Sequence, residues 1–67
     1  MSMIIGFDEF QIDGNILKVE LVNKIPDGYN LINRQKGYRI YRKDEKIGED
    51  NHHYYLGLKE SNKWEIQ

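Results

Sequence analysis

The stretch that decides the fold spans residues 37–43 and reads Gly-Tyr-Arg-Ile-Tyr-Arg-Lys. Neighbouring side chains of a strand point to opposite faces, so Tyr38 and Ile40 are predicted to face a core together. The outward face of the same strand carries the candidate partner-binding residues, which are Arg39, Tyr41 and Lys43. Gly37 opens this strand, and the polar residues 44–46 are predicted to close it as a turn.

Two further segments, residues 16–22 and 52–59, alternate between apolar and polar side chains in the same way. Residues 13–15 read Asp-Gly-Asn and predict a hairpin, because these residue types adopt positive φ at little cost. The inward positions of the strands give the predicted core: Phe10, Ile12, Leu17, Val19, Leu21, Tyr38, Ile40, Tyr54, Leu56, Leu58, Trp64 and Ile66.

Residues 29–36 follow neither the strand period nor the helix period, because Leu31 and Ile32 are adjacent. We interpret this segment as an irregular strand or a loop. Taken with the turn residues between the segments, the chain predicts an all-β fold with a single antiparallel sheet of about five short strands. It would form one domain over residues 1–67, arranged as a meander or an SH3-like barrel. The alternative is an α+β fold in which residues 29–36 form one short helix.

The composition indicates a small globular domain that needs good packing or association. The chain has 67 residues, of which 39% are hydrophobic and 31% charged, with a net charge of −1 and no cysteine. Disulfides and thiolate metal sites are therefore excluded, and chains this short commonly gain stability from a second subunit. Residues 1–7 are apolar and are expected to form a first strand or an arm over the core or a neighbouring subunit, and together with exposed sheet edges they lead us to expect a homodimer.

The expected location is the cytoplasm, without membrane contact, because no leader with a basic flank and no apolar run of about 20 residues is visible. The frequent Ile, Asn, Lys and Tyr residues suggest a bacterial or phage origin.

The sequence lacks the nucleophile–base pairs and metal-ligand clusters that catalysis usually requires. Ser2 and Ser61 are the only aliphatic hydroxyls, and neither has an evident base partner. His52 and His53 are adjacent, so in a strand they face opposite sides and cannot easily share a metal. We therefore expect a protein that is not an enzyme and that carries no cofactor and no metal.

A basic stretch with interleaved tyrosines is the feature most suggestive of binding. Its cations are Arg34, Lys36, Arg39, Arg42 and Lys43. Cationic and aromatic side chains together bind single-stranded nucleic acid in small β-domains, but alternation divides this set between two faces. Tyrosine and arginine are also enriched at protein–protein interfaces. The sequence favours a non-enzymatic interaction module, an accessory protein that binds another protein or itself. A nucleic-acid-binding β-barrel domain is the alternative.

Overall fold

The computed structural model describes residues 4–60. These residues form five strands: β1 (Ile4–Ile12), β2 (Asn15–Val22), β3 (Asn30–Gln35), β4 (Tyr38–Ile47) and β5 (Asp50–Lys59). No helix occurs within this part of the chain, so the all-β prediction is confirmed. The ambiguous segment 29–36 contains β3, whose register with β4 shifts between Leu31 and Asn33. This bulge accommodates the adjacent Leu31 and Ile32 that disturbed the sequence pattern.

The five strands form one sheet in the order β1-β2-β5-β4-β3. Neighbours are antiparallel except β2 and β5, which run parallel over three residue pairs, from Glu20 beside Leu56 to Val22 beside Leu58. The sheet is therefore mixed, whereas the sequence led us to expect antiparallel pairs throughout. Residues 23–29 cause the difference, because they carry the chain from β2 across to β3, and β5 then returns beside β2.

Two-residue turns connect the hairpins. Asp13 and Gly14 have φ angles of 52° and 82°, and Lys36 and Gly37 have φ angles of 57° and 80°. Positive φ at both central residues is the turn geometry that matches the twist of paired strands, so the hairpin predicted at residues 13–15 is confirmed.

The sheet curls until the β3–β4 turn reaches β1 at the far end of the strand order. Gln35 Nε2 donates to the carbonyl oxygen of Gln11 at 3.0 Å, and Lys36 Nζ donates to the carbonyl oxygen of Glu9 at 2.6 Å. These contacts close one end of the seam between the outermost strands. The result is a half-barrel with a concave inner face.

The inner face carries the core. Its buried cluster consists of Phe10, Ile12, Val19 and Ile40, all of which the sequence predicted. Partly buried side chains pack around this cluster: Leu17, Leu21, Ile32, Tyr38 and Tyr55. Tyr38 meets Phe10 edge to face with ring centroids 5.7 Å apart. Trp64 and Ile66, also predicted for the core, lie outside the described residues.

The face prediction for β5 was wrong. Gly57 pairs with Ile40 and Tyr55 pairs with Arg42, so Gly57 and Tyr55 lie on the inner face. The predicted inward residues of β5 lie on the opposite, outer face: Tyr54, Leu56 and Leu58. Leu56 is buried there, whereas Tyr54 is 39% exposed. Both faces of β5 carry apolar residues, so alternation alone does not determine which one meets the core.

The turn predicted at residues 44–46 was also wrong, because β4 continues to Ile47 and pairs with β5 as far as Asp50. Residues 44–53 form a two-stranded extension, here called the ribbon, whose side chains are exposed throughout. Two acidic residues face histidines across it, Asp44 opposite His53 and Glu45 opposite His52. Such cross-strand pairs favour continued pairing where a turn was expected.

No helix long and apolar enough to cross a lipid bilayer occurs in the described residues.

Candidate partner-binding face

The outer face of the sheet, opposite the core, carries a row of side chains that crosses all five strands. Pairing places Phe7, Glu20, Leu56, Tyr41 and Leu31 side by side in that order. The middle of the row is covered, with Leu56 only 7% exposed, but its ends are open, with Phe7 54% and Leu31 46% exposed. The row is thus apolar except at Glu20, and its apolar side chains are accessible at both margins.

The crossover, residues 23–29, lies over part of this face. A Cβ atom on Gly28 would stand 3.8 Å from the side chain of Lys43. Partial burial, and then the nearby Glu20, Tyr54 and Glu45, raise the pKa of Tyr29. All of these neighbours lie on the outer face, so the crossover passes over that face near Lys43, whereas Leu31 on β3 stays 46% exposed.

The three predicted site residues lie together. Arg39, Tyr41 and Lys43 alternate with inner-face residues along β4 and so share the outer face, about 7 Å from one to the next. All three are half-buried, which differs from the exposed position expected for Tyr41. Leu31 and Leu56 flank Tyr41 on the neighbouring strands and account for its partial burial.

A second arginine, not assigned to this face from the sequence, lies beside Arg39. Arg34 pairs directly with Arg39 across β3 and β4. Both guanidiniums contact the same oxygen of Glu60, with Nε to Oε2 distances of 3.3 Å for Arg34 and 3.1 Å for Arg39. The hydrogen bond that Arg39 donates to Glu60, followed by that with Tyr41, raises the pKa of Arg39. Only the register of β3, which the bulge obscures, could have revealed this pair from the sequence.

Most cations of the basic stretch have carboxylate partners nearby. Arg34 and Arg39 share Glu60, Lys36 lies 3.2 Å from Asp8, and Arg42 lies 3.0 Å from Asp44. Lys43 is the one cation of the stretch without such a partner among residues 4–60. Lys36 and Arg42 also lie towards the inner side, so the basic stretch does not form a continuous positive surface.

The two histidines face opposite sides of the ribbon, as the sequence predicted. His53 Nδ1 lies 2.6 Å from Asp44 Oδ1, whereas His52 is paired with Glu45 on the other face. Within the described residues, no three His, Cys, Asp or Glu side chains converge as a metal site would require. A surface depression of about 340 Å³ is lined by Lys24, Ile25, Pro26 and Asp27, and includes none of the predicted site residues.

Comparison of the chain with protein-family models, with curated proteins and with solved structures found no match. The functional argument therefore rests on the geometry of the outer face.

Proposed function

We propose that this protein is a non-enzymatic interaction module that binds a protein partner through the outer face of β3 and β4. The observation that carries the proposal is the row in which Tyr41 lies between Leu31 and Leu56, with Leu31 46% exposed. Tyrosine and arginine are the residue types enriched at protein-binding hot spots, and the accessible Leu31 beside them adds apolar area to the same face.

The ion pairs support a protein rather than a nucleic acid as the partner. A phosphate backbone requires a track of available cations, and binding through it weakens steeply as salt rises. Here Lys36 lies over the Phe10 ring and Arg42 is opposite Tyr55, both towards the inner side, and they pair with Asp8 and Asp44, so the basic stretch provides no continuous track. An apolar contact centred on Tyr41 is less sensitive to salt, so ionic strength distinguishes the two partner classes.

The test is affinity capture from a host-cell extract with the wild-type protein and two variants immobilised at equal density. Tyr41→Ser removes the centre of the proposed face, and Ile47→Ser removes an exposed apolar side chain from the ribbon tip as a matched control. We expect a specific protein to be retained by wild type and Ile47→Ser, to be lost with Tyr41→Ser, and to persist after nuclease treatment. Retention that disappears with nuclease would instead support nucleic-acid binding.

Self-association is the second candidate, and it is favoured by the edge of β1, which within residues 4–60 pairs with no strand other than β2. At Glu9 the backbone groups on that edge already have partners, because its N–H donates to Asp8 Oδ1 at 2.7 Å and its carbonyl accepts from Lys36. Ile5 and Phe7, earlier on the same strand, are 64% and 54% exposed. An apolar edge segment is a site where a second copy can add a strand, so a homodimer would form there.

A further inference from the structure

Arg34 and Arg39 are an unusual pair to find opposite each other. Like charges directly opposite on neighbouring strands destabilise a sheet. Both side chains remain accessible, with side-chain exposures of 60% and 40%. Within residues 4–60, Glu60 is the one carboxylate within ion-pair distance of either guanidinium. In this part of the chain two positive charges therefore share one negative charge, which is an excess of one positive charge at this point of the outer face.

The geometry also leaves donors available. Each guanidinium has five N–H groups in a planar fork, and each contacts Glu60 Oε2 through its Nε. The arginine forks match the shape of a carboxylate, which they bind with charge-assisted hydrogen bonds. Glu60 thus occupies a position that a carboxylate from another molecule could share or take over.

An apolar subsite lies next to the arginines. Tyr41 follows Arg39 by two residues on β4, and Leu31 is opposite Tyr41 on β3. The two subsites are therefore about 7 Å apart, which is also the distance between residues i and i+2 of an extended peptide. A peptide lying over β3 and β4 could place an acidic side chain at the arginines and an apolar side chain at Tyr41.

We infer that the outer face binds an extended peptide segment in which Asp or Glu lies two residues from an apolar residue, with Arg34 and Arg39 binding the carboxylate. This inference rests on the proposed function, because it names the chemistry of the partner at that same face. The charge complementarity between the arginine pair and an acidic segment selects this occupant over an apolar or a basic one.

The test uses a defined peptide, Gly-Ser-Glu-Ser-Leu-Ser-Gly, and its counterpart with Gln in place of Glu, titrated into isotopically labelled protein by NMR. We expect saturable shifts of the Nε–Hε signals of Arg34 and Arg39 and of the amides of Leu31 and Tyr41. The Gln peptide should bind about tenfold more weakly, because a charge-assisted hydrogen bond is lost.

Three variants sharpen the result. Arg34→Gln combined with Arg39→Gln should weaken binding of the Glu peptide about tenfold and abolish its preference over the Gln peptide. Glu60→Gln should strengthen binding, since the internal carboxylate no longer competes. Arg42→Gln is the matched control, because Arg42 pairs with Tyr55 on the inner face, and this change should leave binding unaltered. Thermal unfolding of each variant checks that the fold is retained.

Equal affinity for the Glu and Gln peptides, or no saturable shift with either, would overturn the inference. Shifts of the same arginines with a short oligothymidine, stronger than with the Glu peptide, would do so too, because phosphate would then be the preferred anion. The proposed function is tested separately, since a protein captured through Tyr41 that does not depend on Arg34 and Arg39 would support the module and contradict the acidic peptide.

Discussion

Gly57 lies directly opposite Ile40 on neighbouring strands, at the centre of the inner face. A Cβ atom at position 57 would stand 3.0 Å from Leu21 Cδ2, 3.4 Å from Val19 Cγ1 and 3.6 Å from Ile40 Cδ1. The three branched side chains thus fill the space that a side chain on β5 would occupy. Packing at the junction of β2, β5 and β4 therefore depends on the absence of a side chain at position 57.

Gly57→Val should therefore destabilise the fold by about 1–3 kcal/mol, the usual cost of overpacking a core. Gly57→Ala should cost less, because the Leu21 side chain can rotate away from a single methyl group. Asn51→Val, an exposed position on the same strand and face, is the control and should change stability by less than about 0.5 kcal/mol. Urea unfolding measures all three. Equal stability of Gly57→Val and wild type would show that the inner face of β5 is not packed as described.

The register of β4 gives a paired prediction for its two tyrosines. Tyr38 packs against Phe10 on the inner face, so Tyr38→Ala should cost about 2 kcal/mol, less than the roughly 3–5 kcal/mol of a fully buried aromatic residue. Tyr41→Ala should cost less than this and should weaken partner binding. Thermal unfolding measures the first effect, and capture of the partner measures the second. The reverse pattern would mean that the register of β4 is displaced by one residue.

The sequence predicted those turns and strands that are specified by residues close together in the chain. Asp13 and Gly14 specify a turn through their own φ preferences, and Ile40 with its polar neighbours specifies a strand. The bulge at Leu31 and Ile32 was anticipated only as an irregularity. Its consequence, the alignment of Arg34 with Arg39, depends on pairing between strands and has no signature in either strand alone.

Contacts between distant parts of the chain determine the features that the sequence did not predict. Gly57 faces the core because β2 docks against β5 in parallel, and the residues that set this contact are more than thirty positions apart. Val22 is buried on the outer face, where it pairs with Leu58 of β5, and it was not predicted for the core. Arg39, Tyr41 and Lys43 share one face, as the alternation predicted, and pairing brings Leu31, Arg34 and Glu60 beside them, which the sequence did not indicate.

The contact between Asp8 and Lys36 predicts a specific pH dependence of stability. The hydrogen bond from the Glu9 amide, followed by that from Lys36, lowers the pKa of Asp8 in the folded protein. A group with a lowered folded-state pKa contributes stability above its unfolded pKa of about 4, and this contribution is lost as the pH falls through the folded value.

Asp8→Asn keeps an oxygen that can accept from the Glu9 amide but removes the charge. The free energy of unfolding should therefore differ between wild type and Asp8→Asn at pH 7, and the difference should shrink as the pH falls below about 4. Urea unfolding across this pH range tests it, with Asp27→Asn in the crossover as a control that removes another carboxylate. A difference that stays constant with pH would show that the charge of Asp8 contributes nothing.

The ribbon should open far more readily than the body of the sheet. After Arg42 on β4 and before Leu56 on β5, these strands pair only with each other among the described residues. A two-stranded hairpin alone is marginally stable in water, so backbone amides near Lys46 and Asn51 should exchange with solvent much faster than those of Val19 and Ile40. Hydrogen exchange followed by NMR measures this directly. Comparable protection of the two regions would indicate that the ribbon is covered, as it would be in a complex or an oligomer.

Self-association through β1 makes the final prediction. Phe7 is 54% exposed at the open end of the β1 edge, and Lys18 Nζ lies 4.9 Å from the centre of its ring. If a second copy adds to this edge, the wild-type protein should sediment as a dimer of the 8.0 kDa chain at high micromolar concentration, and Phe7→Ser should shift it towards the monomer. Ile16→Ser removes a residue that is 70% exposed on β2, away from the edge, and should leave the dimer intact. A wild-type protein that sediments as a monomer at these concentrations contradicts the dimer, whereas a dimer that survives Phe7→Ser places the contact elsewhere on the molecule.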